Sequence, residues 1–230
     1  MHFHLPKPLH GWRAFVGEVG VIVIGVLIAL GAEQFVDTLH WRSEAGDFRK
    51  AVNHEVSVDL GAYRFNLLQQ PCIRRRLDEL QTYLDRSRDG PLVHLSGKIG
   101  EPLSFPEYRS VWDNKDAQVV AHIPVEERLK YAQWYDEFHL TANIEQAETE
   151  TWHKLFPFEE PGPLTLEDRR QLHSLIVQAR NLSSAMDDNW PLTQKLAASL
   201  GLKPEYPAGS SNFERFIPRF DICKPILKSS

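Results

Sequence analysis

The chain has few cysteines, two in 230 residues, and they do not form a C-x-x-C pair. This excludes zinc-ribbon and thioredoxin-like sites, which need closely spaced cysteines. The sequence also lacks a G-x-S-x-G nucleophile motif, and no glycine-rich loop leads into a helix in the pattern that cradles phosphate. We therefore predict no catalytic residue, no cofactor and no metal site.

Clustered basic charge is also scarce. The net charge is −5, and the first seventeen residues contain two of the 26 basic residues and none of the 31 acidic ones, so the remainder is more acidic. Nucleic-acid binding needs clustered Lys and Arg. The one basic run, Arg74-Arg75-Arg76, is followed closely by Asp78 and Glu79. We interpret this run as a solvated helix face and expect no nucleic acid as a partner.

The sequence has a single long apolar run, from Val19 to Ala32, whose fourteen residues have neither a charge nor a polar side chain. At 1.5 Å per residue this run covers about 21 Å of a hydrocarbon core that is about 30 Å thick. Including its flanks, from residue 15 to residue 36, gives about 22 residues, which is long enough to span a membrane. Glu18 and Glu33 then lie near the boundaries, where a carboxylate costs less than at the bilayer centre. We predict a transmembrane helix over 15–36.

Two other interpretations of the apolar run stay open. The first is a cleaved signal, because Ala29-Leu30-Gly31 follows a basic segment and places small residues where a signal peptidase cuts. Glu18 argues against cleavage, since it stands where the apolar part of a signal should begin. The second is a buried core helix, which apolar runs of about 10–14 residues often form.

The charges around the run predict its orientation. Lys7 and Arg13 precede it, whereas the other side opens with acids and has no base before Arg42. The positive-inside rule therefore favours residues 1–14 in the cytoplasm and the body in the periplasm. The predicted location is the inner membrane of a bacterial-type cell, with the lipid bilayer as the first partner.

The residues around this run form a recognisable pattern: 12–19 read WRAFVGEV and 23–30 read VIGVLIAL. They resemble the opening of a family of uncharacterised bacterial single-pass membrane proteins. A looser match follows at Ser110-Val111-Trp112 and at His122-Ile123-Pro124, whereas Val119-Val120 departs from the family pattern. The resemblance implies a single-pass topology with an all-helical body, and it implies no activity.

Beyond the membrane run, the sequence predicts an antiparallel helical bundle over 37–202 and an extended tail over 203–230. The first helix should continue from the membrane to Pro71, which ends or kinks it, and a second helix should stop at Asp89-Gly90-Pro91. Apolar residues in steps of three and four define the buried faces. These are Ala45, Phe48, Val52, Val56, Leu60, Tyr63 and Leu67, then Ile73, Leu77, Leu80 and Leu84.

Two further long helices are predicted in the second half of the body. Pro124 begins one that reaches about His153, and a capping box formed by Thr165 and Asp168 begins the next, which Pro191 should interrupt. The expected core residues are Leu129, Trp134, Tyr135, Phe138 and Trp152, then Leu172, Leu175, Ile176, Ala179, Leu182 and Met186. Phe213, Phe216, Ile217 and Phe220 are expected to hold the tail against the bundle.

The two cysteines, Cys72 and Cys223, stand at the start of the second helix and in the tail. In a periplasmic body they would form one disulfide that ties the tail to the bundle. The alternative is two buried free thiols.

The ten histidines raise the question of a metal site. Glu150-x-x-His153 has the spacing of a di-iron half-motif and Asp136-x-x-His139 repeats it, but both lie on one predicted helix, whereas a di-iron bundle uses several. We interpret them as the polar side of an amphipathic helix. An enzyme or sensor that uses a polar cleft around His139, Glu150 and His153 is the alternative function.

The membrane run itself contains the predicted functional residues. Glu18 is an ionisable group in a membrane helix, which indicates function, and Gly17, Gly20, Gly25 and Ala29 permit close approach of another helix. Together they predict association with a second copy or with another membrane protein. The alternative is that Glu18 only reaches to the headgroups. The favoured function is a membrane-anchored interaction or scaffold protein, or an accessory subunit of a complex.

Overall fold

The computed structural model describes residues 11–89, 94–104, 106–206 and 215–227. This part of the chain is mainly helical and contains no strand, as the sequence predicts. The α-helices are α1 (Trp12–Leu68), α2 (Gln70–Asp89), α3 (Ser110–Asp113), α4 (Ala117–Ala121), α5 (Val125–His153) and α6 (Leu166–Ser199). Shorter 3-10 turns cover Phe156–Glu159, Ile217–Arg219 and Asp221–Cys223.

Helix α1 is continuous over 57 residues, which makes it about 85 Å long at 1.5 Å per residue. Its predicted apolar face is confirmed, because Ala45, Val52, Val56 and Leu60 are all buried. The helix ends at Leu68 and α2 begins two residues later. Pro71 explains this break, since it has no N–H to continue the hydrogen-bond ladder.

Helix α5 runs in the same direction as α1, and α6 returns along both. Tyr131 donates a 2.6 Å hydrogen bond to Asn53, while Phe138, two turns later, contacts Tyr63. On α6 the order is reversed, since Asn189 donates to Thr141 at 2.8 Å while Lys130 reaches the carbonyl of Ser199. The core between the three helices consists of Val52, Val56, Leu60, Tyr63, Tyr131, Trp134, Tyr135, Phe138, Met186 and Ala197.

A second core lies around α2. It joins α2 to the end of α5, the beginning of α6 and the C-terminal segment 215–227. Its central residues include Ile73, Leu77, Leu80, Trp152, Leu172, Ile176, Ile222 and Ile226. The C-terminal segment is therefore part of the hydrophobic core. It contains two 3-10 turns, whereas the sequence predicts an extended tail. Phe213, expected to hold the tail, lies outside the described residues.

Two sequence predictions about these helices are wrong. Helix α6 passes through Pro191 without interruption, because Met186, Thr193 and Ala197 are buried on both sides of the proline. This packing outweighs the roughly 3 kcal/mol that an internal proline costs. Leu129 was expected in the core but is 63% exposed, because the buried face of α5 begins two residues later at Tyr131.

The two ends of α6 follow the sequence signals. The capping box at its start is confirmed, with Asp168 donating its N–H to the Thr165 hydroxyl and Thr165 donating its N–H to the Asp168 carboxylate. At its end Gly201 has a φ of +76°, and Leu202 bonds back to the Ala197 carbonyl. This Schellman motif turns the chain towards α1.

The basic run on α2 is not the solvated face that the sequence indicated. Arg74 and Arg75 are exposed, but Arg76 is fully buried. Its guanidinium donates to the carbonyl oxygens of Lys98, Ile99, Asp221 and Lys224. Arg76 lies among Ile73, Leu77 and Leu80 on the inward face of α2, and this spacing is the signal in the sequence that could have indicated its burial.

Candidate functional site

The first turns of α1 carry a long exposed apolar surface. By length and composition this helix could cross a membrane, and none of its most apolar window is buried inside the protein. Val21, Ile22 and Ile28 are each about two-thirds exposed or more. The interpretation as a buried core helix is therefore not supported. An apolar surface of this size marks an interaction with lipid or with another apolar surface.

The predicted association residues do not all share one side of α1. At about 100° per residue, Glu18, Gly25 and Ala29 fall within an arc of about 40°. Gly17 lies about 80–120° from these three residues, and Gly20 lies about 140–180° from them. The helix thus brings together Glu18, Gly25 and Ala29, and it places Gly20 on the opposite side.

The space around these glycines is open. A Cβ atom built at Gly17, Gly20 or Gly25 would meet nothing within 4 Å. The fold of the chain itself therefore gives no packing reason for glycine at these positions. Small residues in a membrane helix allow the backbone of a second helix to approach closely.

A disulfide joins Cys72, at the start of α2, to Cys223 in the C-terminal segment, with 4.7 Å between the two Cα atoms. Arg75 donates to the Cys223 carbonyl, and the neighbouring Arg76 binds the carbonyl of Asp221 at 2.9 Å. Covalent and hydrogen bonds therefore hold the C-terminal segment at one place on α2. Disulfides of this kind persist in oxidising compartments.

The polar face of α5 lines an open groove of about 640 Å³. His139 Nδ1 lies 3.1 Å from Glu107, and His153 Nε2 lies 2.7 Å from Glu101. Carboxylates of the loop between α2 and α3 therefore face both imidazoles. The two histidines are fourteen residues apart on α5, about 21 Å along the helix, too far to share one metal ion. Among the described residues no group of three or more His, Cys, Asp or Glu could hold a metal.

Sequence reasoning missed a pair of buried acids on α1. Glu55 accepts hydrogen bonds from the N–H groups of Val111 and Trp112 and from the Tyr135 hydroxyl at 2.5 Å. Asp59 is fully buried and accepts from the Tyr108 N–H at 3.0 Å. The two acidic side chains therefore connect the segment around α3 to α1.

Burial changes the protonation of Asp59. Burial raises the pKa of Asp59 to about 8. The charge of Glu55 also raises this pKa, whereas the hydrogen bond from the Tyr108 N–H lowers it. Burial also raises the pKa of Glu148 on α5 to about 7. Asp59 follows Val52 and Val56 within the arc of the apolar face of α1, so its position in the helical pattern could have indicated burial.

Comparison with known proteins adds no relative. No protein-family model, no curated protein and no solved structure matches the chain. The function is therefore argued from the exposed apolar helix, the buried groups and the pockets of this chain.

Proposed function

We propose that this chain is a single-pass protein of a bacterial inner membrane, with residues 15–36 as its transmembrane segment. Its helical body acts as an interaction module or as an accessory subunit of a larger membrane complex. The observation that supports this most directly is the exposed apolar surface of α1, which continues without a break into the folded body. We also propose membership of the single-pass family that residues 12–19 and 23–30 resemble.

The energetics of the segment support insertion. The nine Val, Ile and Leu residues between Val19 and Ala32 favour the bilayer by roughly 3–5 kcal/mol. Glu18 and Glu33 oppose insertion, but they lie near the boundaries, where the cost of a carboxylate is much smaller than at the centre. The balance therefore favours an anchored chain.

We propose that residues 1–14 are cytoplasmic and that the body is periplasmic. The basic residues on the amino-terminal side of the segment support this orientation through the positive-inside rule. The Cys72–Cys223 disulfide supports it independently, since disulfides persist in the periplasm and are rare in the cytosol. In this orientation α6 is antiparallel to α1 and α5 in a bundle that stands on the outer side of the inner membrane.

Membrane insertion is tested by placing two charges at the centre of the segment. Replacing Ile24 and Ile28 by Arg should cost about 5–7 kcal/mol, more than the segment gains, so the protein should leave the membrane fraction or fail to accumulate. The matched control is arginine at Val177 and Leu192, exposed apolar residues of α6. Retention of the Ile24→Arg, Ile28→Arg protein in alkali-washed membranes would contradict the anchor.

Association through the segment is tested by cross-linking in membranes. We expect Gly25→Leu and Glu18→Gln to weaken a homo-oligomer or partner band, because both positions lie on the proposed contact face. Gly20→Leu makes the same change on the opposite side of α1 and should leave the band unchanged. Equal effects of the two leucine variants would argue against this face. Mass spectrometry of proteins co-purified in gentle detergent would identify a partner.

The groove along α5 supports a second candidate, an enzyme or sensor that binds a ligand near His139 and His153. Its test is a ligand-induced rise in melting temperature that His153→Ala removes. A stable partner in the membrane, without any such ligand, favours the interaction module instead.

A further inference from the structure

A basic pocket lies between the end of α2 and the beginning of α6. Its volume is about 540 Å³, and its lining includes Arg88, Arg169, Arg170 and His173, with Asp85 as the one carboxylate. Two helices that are distant in sequence thus bring three guanidinium groups to one cavity. In a chain with a net charge of −5, this local excess of positive charge needs an explanation.

The arginines of this pocket have few partners within the protein. Arg88 makes no hydrogen bond or ion pair with the described residues. Arg169 donates through Nη1 to the Leu164 carbonyl at 3.3 Å, and Arg170 lies 3.9 Å from Glu167 with both side chains mostly exposed. Asp85 already accepts a hydrogen bond from Gln81. Most guanidinium N–H groups of the pocket are therefore available to a ligand.

Several other arginines of the body are paired with a carboxylate. Arg49 binds Glu127 at 2.7 Å, and Arg180, on the same helix as Arg169, binds Asp78 at 2.7 Å. The basic pocket differs because two guanidinium groups without a carboxylate partner among the described residues, Arg88 and Arg169, line one cavity. It also adjoins the start of α6, where the helix dipole adds positive potential. The first N–H groups of α6 are partly used by its capping box, so the donors for a ligand are side chains.

We propose that the basic pocket binds a phosphate group. A guanidinium matches the geometry of phosphate and can donate two parallel hydrogen bonds to it. A single carboxylate can accept the paired N–H groups of one guanidinium, whereas a phosphate has enough oxygen atoms to accept from arginines of both helices. The proposal does not depend on the membrane segment, because α2 and α6 form the pocket without it.

Isothermal titration of the full-length protein in detergent, at constant ionic strength, tests this proposal. Inorganic phosphate is the first probe, and dimethyl phosphate represents the diester found in lipids and polymers. We expect saturable binding of at least one probe. Stronger binding of inorganic phosphate indicates a free phosphate or monoester as the natural ligand, and stronger binding of the diester indicates a polymer or headgroup. No saturable heat with either probe overturns the proposal.

Substitutions locate the binding. Arg169→Gln and Arg88→Gln should each weaken the affinity about tenfold, the effect of losing one charged hydrogen-bonding group. Arg169→Lys keeps the charge but removes the paired N–H donors of the guanidinium. It should weaken binding less than Arg169→Gln. Arg180→Gln makes the same charge change on α6 outside the pocket and should have no effect. If Arg180→Gln weakens binding as much as Arg169→Gln, the effect reflects net charge and the pocket is not the site.

Discussion

Asp59 makes the stability of the body dependent on pH. Burial raises its pKa to about 8, whereas an aspartate in an unfolded chain titrates near 3.9. The folded protein therefore holds a proton that the unfolded chain releases. The stabilisation is fully present below about pH 4 and is lost as the pH rises through about 8. Glu148, with a pKa of about 7, acts in the same direction.

We expect Asp59→Asn to flatten this dependence. Asparagine can still accept the Tyr108 N–H, and it has no charge to bury at high pH. Between pH 5 and pH 9 the melting temperature should fall more in the unmodified protein than in Asp59→Asn. The difference between the two falls should be roughly 2 °C or more. Asp47→Asn, an exposed change on the same helix, is the control. Parallel melting curves across pH for Asp59→Asn and the unmodified protein would refute this role.

Gly61 lies where the chain after α6 crosses α1. Glu205 donates its N–H to the Ser57 carbonyl at 2.8 Å, and a Cβ at Gly61 would lie 1.9 Å from the Glu205 carbonyl oxygen. Alanine normally stabilises a helix by up to about 1 kcal/mol relative to glycine. Here we expect Gly61→Ala to destabilise, because residues 203–206 must move away.

Gly46→Ala is the matched control for this prediction. It lies on the same helix and has nothing within 4 Å of an added Cβ, so it should stabilise the protein or leave it unchanged. Denaturant unfolding measures both variants. Stabilisation by Gly61→Ala of the same size as by Gly46→Ala would show that the crossing does not depend on glycine.

At the scale of elements, α2 binds one loop, at Lys98 and Ile99, and the C-terminal segment through Arg76. Replacing Arg76 by Met removes the donor from four carbonyl oxygens and leaves Glu79 without its buried partner. We expect a loss of about 3–5 kcal/mol in the free energy of unfolding. Arg74→Met on the exposed side of α2 should cost less than about 1 kcal/mol. Similar losses in both variants, measured in urea, would rule out the proposed role of Arg76.

For the whole molecule, the disulfide closes most of the body into one loop, since Cys72 and Cys223 are 151 residues apart. Replacing both cysteines by Ser should lower the free energy of unfolding by about 2–4 kcal/mol. In a periplasmic body the two cysteines should resist alkylation unless a reductant is added, and reduction should add the mass of two hydrogen atoms. Labelling of both cysteines without reductant would contradict the bond and the proposed compartment.

The sequence by itself predicted the long helices, the candidate membrane segment and most of the buried faces, because periodicity, caps and long apolar runs are local signals. For the same reason it predicted the beginning of a helix at Pro124, the capping box at Thr165 and the break before Pro71. Only the tertiary structure showed that α6 continues through Pro191 and that Arg76 and Asp59 are buried. The packing of distant segments determines these features, since it can outweigh the cost of a proline and supply hydrogen bonds to a buried charge. The basic pocket likewise exists only where α2 meets α6.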